Sequence, residues 1–300
     1  MSGSILSIGE CMVELAPRGD GAYSRGFAGD TFNSAWYLRR LLPAAWTVDY
    51  FTAVGTDALS TQMLSFMRDA GIGTDKVRRL PDRTVGLYMI ELSNGERSFT
   101  YWRNMSAAKR LAADRAALSA ALQGRSLVLF SGITMAILDA EDREAFLDEL
   151  KAARRRGTTV VFDPNMRARL WPDAETMRKT IMAAAAVADV VLPSFDEDQR
   201  EFGDVDPQAT IARYRSLGVG CVVVKNGAGT MYAVDGDDEI VFEPVPVTDV
   251  VDTTAAGDSF NAGFLAARLD GAGLRSSIEQ GSRVAGKVVR KRGALVDLGD

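Results

Sequence analysis

The sequence predicts an α/β protein: a mostly parallel central sheet with helices on both faces, and a small β-strand lid. Three observations carry that expectation. Short apolar, β-rich runs at 126–131, 158–162, 187–192 and 221–225 alternate with helix-like stretches at 107–122, 140–156, 174–186 and 207–217, the spacing of strand–helix–strand units. The 300 residues, 47% of them hydrophobic, can bury a large core without a disulfide or metal staple. Before residue 104 the alternation is interrupted by two β-rich runs, 84–92 and 96–102, joined at Asn94-Gly95, a strong hairpin signal.

In chain order, residues 4–8 read as a strand ending at Gly9, and 10–15 as a second strand. A loop rich in glycine and charge is expected over 17–25, and a helix from about Asp30 to Leu42, stopped by Pro43. Residues 48–54 read as a strand and 58–70 as an amphipathic helix ending at Gly71. After the alternating region come a hairpin over 229–234 and 239–243, then two helices, 257–269 and 274–290. The chain 1–300 is expected to form one domain, with the lid made by two insertions, about 10–27 and 84–103.

Composition narrows the function. The net charge is −5, and the basic runs Arg154-Arg155-Arg156 and Arg290-Lys291-Arg292 are short and fall at expected helix ends. Nucleic acid is therefore not an expected partner. Cys11 and Cys221 are far apart and lack metal-ligand spacing, which fits a reducing cytoplasm. No charged-then-apolar leader and no long apolar span is found, so a cytoplasmic protein with no membrane partner is expected. The chain has no histidine. Acid–base work falls to Asp, Glu, Lys, Tyr or Cys, and any metal would be a hard cation on oxygen, such as Mg²⁺.

The most informative stretch is Asp252-Thr253-Thr254-Ala255-Ala256-Gly257-Asp258-Ser259-Phe260-Asn261-Ala262-Gly263-Phe264. Small residues lead into a helix whose first amides, those of Ala255, Ala256, Gly257 and Asp258, are expected to face an anion. A carboxylate, Asp258, stands in the same turn. Amides that bind an anion beside a carboxylate base suit phosphoryl transfer to an alcohol. An ordinary helix start with a favourable acidic residue is the alternative.

Four further groups follow strands or open helices. Gly29-Asp30-Thr31-Phe32-Asn33 offers hydrogen bonds to a hydroxylated ligand, or simply caps a helix. Tyr101-Trp102-Arg103-Asn104, with Tyr88 on the facing strand, sets an arginine among aromatics, where it can grip a carboxylate. Asp163-Pro164-Asn165-Met166-Arg167 follows a strand, where α/β sheets bind ligands. Lys225-Asn226-Gly227-Ala228-Gly229-Thr230 either cradles phosphates or makes a tight turn. Glu197, at a helix start, is a candidate for holding hydrated Mg²⁺, or a solvated acid. Two motifs fail. Gly281 to Lys287 copies a phosphate-loop spacing but ends in Val288 and lies inside an expected helix. Gly227-Ala228-Gly229 has Tyr232 in place of the third glycine of a dinucleotide fingerprint, so an NAD-dependent oxidoreductase is disfavoured.

Together these motifs resemble those of the ribokinase-like (PfkB) sugar kinases, and the likeness runs nearly end to end. The narrowest parts are Gly9 to Leu15, Gly29 to Asn33, Tyr101 to Asn104, Arg167 to Trp171 and the Asp252 to Phe264 stretch. The resemblance implies a ribokinase-like fold and ATP with Mg²⁺ as cofactors. It implies phosphorylation of the 6-hydroxyl of a sugar acid, 2-dehydro-3-deoxy-D-gluconate. Asp258 would be the base, and Ala255, Ala256 and Gly257 the anion hole. Gly29, Asp30, Thr31, Asn33, Tyr88, Tyr101, Arg103 and Arg167 would surround the sugar acid. Asn165, Arg167 and Lys225 through Thr230 would lie near the nucleotide. Two departures stand out: Ser194-Phe195-Asp196-Glu197 has Ser where the family's metal-organising motif has Asn, and Ala28 replaces a family glycine. A fructokinase, a ribokinase or a non-catalytic sugar-acid sensor are the rival expectations. Exposed lid strands could pair with a second copy, giving a homodimer or a higher oligomer.

Overall fold

The computed structural model describes residues 2–18, 20–93 and 96–299. The Asn94-Gly95 turn signal lies outside them. The chain runs β1 (Gly3–Ile8), β2 (Met12–Pro17), β3 (Tyr23–Ala28), α1 (Asp30–Leu41), β4 (Trp46–Phe51), β5 (Ala53–Gly55), α2 (Ala58–Asp69), β6 (Arg78–Leu80), β7 (Leu87–Ser93) and β8 (Glu96–Trp102). It continues through α3 (Arg115–Leu122), β9 (Leu127–Ser131), α4 (Gly132–Ile137), α5 (Ala140–Arg155), β10 (Thr159–Asp163), α6 (Ala174–Ala185), β11 (Val190–Val191), α7 (Phe195–Phe202) and α8 (Pro207–Arg215). β12 (Cys221–Val224), β13 (Met231–Asp235), β14 (Asp238–Phe242), α9 (Ala256–Leu269) and α10 (Leu274–Val288) complete it.

Eight strands form the main sheet in the order β14-β13-β12-β11-β10-β9-β1-β4. Neighbours from β4 to β12 pair parallel, while β13 and β14 close one edge antiparallel. Both faces are covered, and residue alternation shows it. On β9, Leu127 and Leu129 enter one apolar cluster and Val128 and Phe130 the other. The pleat sends successive side chains to opposite sides, so a strand buried on both faces reads as a continuous apolar run. α9 packs between α1 and α10. The approach of α9 to α10 is close: a β-carbon on Gly263 would lie 2.9 Å from the Gly281 α-carbon.

A second, four-stranded sheet has the order β3-β2-β7-β8. It contains more strand than the sequence suggested. The expected loop over 17–25 is half strand, because β3 pairs antiparallel with β2 from Tyr23 to Ala28. The polar side chains of Tyr23, Ser24 and Arg25 face solvent, so no apolar alternation marked them. The helix expected over 107–122 divides into a 3-10 turn (Ala107–Arg110) and α3, whose N-cap Asp114 accepts from the Ala117 amide. The strand expected over 187–192 shrinks to Val190–Val191, since Val187 and Ala188 still close the end of α6. The short helix α4 was not anticipated, whereas α7 begins at Phe195, two residues before Glu197, where a helix start was expected. The failed phosphate-loop spacing does lie within α10.

Candidate active site

The carboxyl ends of the parallel strands converge on one cavity of about 690 Å³. Asp163 ends β10, Lys225 follows β12, Ser194 follows β11 and Ile133 follows β9, and all four line it. Met12, Tyr88, Phe99 and Tyr101 of the second sheet form a further wall. The start of α9 forms the floor.

That helix start is held in an unusual conformation. Ala255, its N-cap, has φ 60 and no side-chain cap. Asn165 has φ 30, and these are the two non-glycine residues with positive φ among the described residues. Both line the cavity. Such strain persists where surrounding structure enforces it, and it clusters at functional sites. Here Asp252 does the enforcing. It is buried, its Oδ1 accepts from the Thr254 amide at 2.9 Å and its Oδ2 from the Gly293 amide at 2.8 Å. Of the four amides expected to face an anion, that of Ala256 donates to the Thr253 carbonyl at 3.2 Å. This corrects the expectation for Ala256: the turn that reverses the chain into the helix uses its N–H. The amides of Ala255, Gly257 and Asp258 donate to no backbone carbonyl among the described residues. A β-carbon on Gly257 would meet only the Lys225 ammonium, at 3.6 Å. Nothing in the protein requires glycine there, whereas a ligand approaching the helix start would.

Asp258 is gripped from α1. Asn33 Nδ2 donates to its carboxylate at 2.8 Å, and Ser34 donates to its carbonyl at 3.2 Å. Asn33 is itself fixed, because its amide donates to the Gly29 carbonyl at 2.7 Å. Gly29 is needed for close approach: a β-carbon there would collide with the Glu10 carbonyl. Burial, reinforced by the nearby Asp30 carboxylate, pushes the Asp258 carboxyl up to about 7, with the Asn33 hydrogen bond opposing. Burial likewise raises Asp30, which accepts from Asn165 Nδ2 at 2.7 Å and from the Thr31 amide at 2.8 Å. A carboxyl raised to about 7 beside a second carboxyl that burial also raises, in a cavity, is what proton abstraction from an alcohol needs.

Beneath the Gly257 turn lies a buried cation. Lys225 Nζ donates to Asn261 at 3.1 Å and to Asp163 at 3.4 Å, and Asn261 donates to Asp163 at 2.7 Å. On the far side of the turn a second, mostly apolar cavity of about 360 Å³ opens. Its walls include Gly227, Ala228, Val245, Val247, Phe260 and Gly286, and it shares Ser194, Lys225, Val250, Thr253, Ala256 and Gly257 with the first.

The residues singled out in the sequence separate clearly. Gly29, Asp30, Asn33, Tyr88, Tyr101, Arg167 and Asp258 line the large cavity together. Thr31 does not: its hydroxyl bonds Tyr50 at 2.9 Å in the core, because α1 turns it away from the cavity. Arg103 opens onto a side pocket rather than the main cavity, and its guanidinium is already paired with the buried carboxylate of Glu10. Arg167 pairs with Glu197. Glu197 is buried, not solvated, and its second oxygen accepts from the Met166 amide at 2.8 Å. Asn165 and Arg167 face the large cavity, not the second one. In the Lys225–Thr230 segment, Lys225, Gly227 and Ala228 line the second cavity, whereas Asn226, Gly229 and Thr230 line neither. Asn226 Nδ2 closes the turn on the Thr230 carbonyl at 3.1 Å, and the Gly229 amide returns to Asn226. Sequence reasoning missed the apolar wall of 244–247 and the face of α10 carrying Ser282, Ala285 and Gly286, with Val289 just past its end. Small residues recurring on one helix face were the available signal. Among the described residues no cluster of three acidic or cysteine side chains could hold a metal, and no helix is long and apolar enough to cross a membrane.

Comparison with known proteins places the chain in a family. The pfkB family carbohydrate kinase model matches residues 2–298. The chain is 39% identical to 2-dehydro-3-deoxygluconokinase of Escherichia coli, covering 99% of this chain and 98% of that protein. It is 38% identical to 2-dehydro-3-deoxygluconokinase of Dickeya dadantii, covering 98% and 97% respectively. Among solved structures, a PfkB protein from Polaromonas superposes with a TM-score of 0.83 at 28% identity, over 96% of each chain.

Proposed function

The chain belongs to the pfkB family of carbohydrate kinases, and from that premise we propose that it transfers the γ-phosphoryl group of ATP to the 6-hydroxyl of 2-dehydro-3-deoxy-D-gluconate. The products are the 6-phosphate and ADP. The observation that carries this reading is the meeting of two unlike cavities at one helix start, with Asp258 on the polar side. The sugar acid occupies the large polar cavity and the nucleoside of ATP the apolar one. The phosphates then cross the shared Gly257 turn.

Asp258 accepts the proton of the hydroxyl as its oxygen bonds to the γ-phosphorus and the bond to the bridging oxygen breaks. The amides of Ala255, Gly257 and Asp258, with the macrodipole of α9 and the Lys225 charge beneath, stabilise the transferring group. Asn33 aims the carboxylate. Mg²⁺ supplies charge neutralisation on the phosphate oxygens when bound. Glu197, already held by Met166 and Arg167, would help hold such a hydrated hard cation through water. The second sheet serves as a lid on a single domain spanning 1–300, excluding water that would otherwise hydrolyse ATP. Its edge strands β3 and β8 carry exposed Tyr23 and Trp102, and we assign them to a homodimer contact, which sedimentation at two concentrations tests. ATP as donor and two buried free thiols suit a cytoplasmic enzyme.

The test is ADP formation from ATP and Mg²⁺ with a panel of 2-dehydro-3-deoxygluconate, fructose, ribose and adenosine. Turnover on the keto-deoxy acid alone is expected. Turnover on a neutral sugar instead overturns the acid assignment and leaves the Asp258 chemistry standing. Binding of the acid without ADP formation supports a sensor in place of a kinase.

A further inference from the structure

A side pocket of about 70 Å³ opens off the polar cavity, and three arginines line it: Arg103, Arg167 and Arg169. Two are already committed to carboxylates of the protein, Arg103 to Glu10 and Arg167 to Glu197. Arg169 has no carboxylate partner among the described residues. Its guanidinium carbon lies 5.2 Å from the centre of the Tyr101 ring, and that of Arg103 lies 5.9 Å from the same ring. Arg169 sits on the 3-10 turn Ala168–Leu170 and lines both the side pocket and the main cavity.

We propose that Arg169 selects the acid, its guanidinium taking the substrate carboxylate at the mouth of the side pocket. The inference rests on the sugar-acid reading above and names the residue that enforces it. Glu10 steers the carboxylate toward Arg169 rather than Arg103. One of its oxygens already occupies the Arg103 guanidinium, and the other is buried without a partner in the same pocket. The charge of that carboxylate repels a second carboxylate beside Arg103. Arg169 offers an uncommitted charge with a planar donor fork that matches a carboxylate bidentately. The Tyr101 ring limits its motion, so less rotamer freedom is lost on binding. The pocket has room for a group of carboxylate size and none for a sugar ring.

The experiment compares wild type, Arg169→Ala and Arg169→Lys on 2-dehydro-3-deoxygluconate and on its neutral methyl amide. Arg169→Ala is expected to raise KM for the acid at least tenfold, the scale of a charge-assisted hydrogen bond lost. KM for ATP should stay within twofold and kcat/KM for the amide should be unchanged, so discrimination between acid and amide collapses. Arg169→Lys should fall between, keeping the charge and losing the fork. Because the residue is exposed, the melting temperature of the free protein should not move, while the increase produced by the acid alone should shrink. A wild-type KM for the acid in Arg169→Ala, or an equal loss on acid and amide, overturns the role of Arg169 and leaves the sugar-acid reading intact. A wild-type enzyme that turns over neutral sugars and amide as well as the acid overturns both.

Discussion

The two cavities on either side of the α9 start are built from different materials. The larger is walled by charged and hydrogen-bonding side chains drawn from widely separated parts of the chain, among them α1, β7, β8, the segments after β10, β11 and β12, and the start of α9. Several of its polar groups are held by named partners: Asn33 on Asp258, Asn165 on Asp30, Arg167 on Glu197. The smaller is walled mainly by small and apolar residues, valines, alanines, prolines and glycines, most of them from the 244–257 loop, α10 and the turn after β12. The first orients a ligand by hydrogen bonds and charge; the second accepts a flat apolar surface by shape. Errors in the two are therefore felt differently. In the first, a lost partner leaves a buried charge stranded. In the second, added bulk simply fills the space.

The largest expected effect tests the first half of that contrast. Arg103→Ala strands the buried Glu10 carboxylate, whose side chain is 0% exposed, and breaking one half of a buried pair costs about 3–5 kcal/mol. A melting temperature lower by about ten degrees is expected, and the double variant Glu10→Gln/Arg103→Met should recover part of it. A single variant that melts like wild type would mean Glu10 is not held in place by this pair. Next comes Asp258→Asn, which keeps the Asn33 contact region but removes the base. kcat should fall at least a hundredfold with both KM values largely kept. This variant should also be more stable. The carboxyl is raised in the folded state, so its contribution to stability falls as pH rises from the unfolded value near 3.8 up to about 7. The gain in melting temperature should therefore be larger at pH 8 than at pH 5, and equal gains would remove the burial argument.

The same contrast decides what could be read from the sequence. The polar cavity was legible because its residues are costly to place without a reason: a glycine that must not carry a β-carbon, a carboxylate in a run of small residues, an arginine beside tyrosines. What was misread there concerns direction. Thr31 and Asn33 sit two apart on α1, and a helix turns them about 200° from one another, so only Asn33 reaches the cavity. Partnership was equally invisible: Glu10 and Arg103 are 93 positions apart, and no local pattern pairs them. Of the apolar cavity only Lys225, Gly227 and Ala228, with the shared Ala256 and Gly257, were legible, because Val245, Ala285 or Gly286 looks the same lining a pocket as it does filling a core. The main sheet was readable for the converse reason, that strands buried on both faces cannot hide their apolar runs. β3 hid because its outer half has no apolar face.

The second half of the contrast is sharpened by Gly286→Leu. A β-carbon there would sit 3.4 Å from Val247, at the wall of the apolar cavity. The larger side chain should raise KM for ATP about tenfold by occupying the nucleoside space and leave KM for the acid unchanged. The melting temperature should not fall, since replacing a mid-helix glycine favours the helix. A rise in both KM values would show that the two cavities are not separate sites.

The smallest expected effect is the most specific to the polar cavity, because it concerns one charge acting on another. If Asp258 is the base, kcat/KM must rise with pH as its carboxyl ionises and level off above about 7. After burial, Asp30 is the main cause of that high value. Asp30→Asn removes a negative neighbour, so Asp258 loses its proton more easily and the acid limb must move to lower pH. About one unit is the scale expected for a like charge in such a site. The variant will also bind the substrate less well, since Asp30 holds Asn165, but weaker binding by itself scales the profile without displacing it. A limb that stays in place while activity drops would assign Asp30 to binding only and remove its charge from the setting of the base. A limb that moves upward would mean that the titrating group is not a carboxyl facing Asp30.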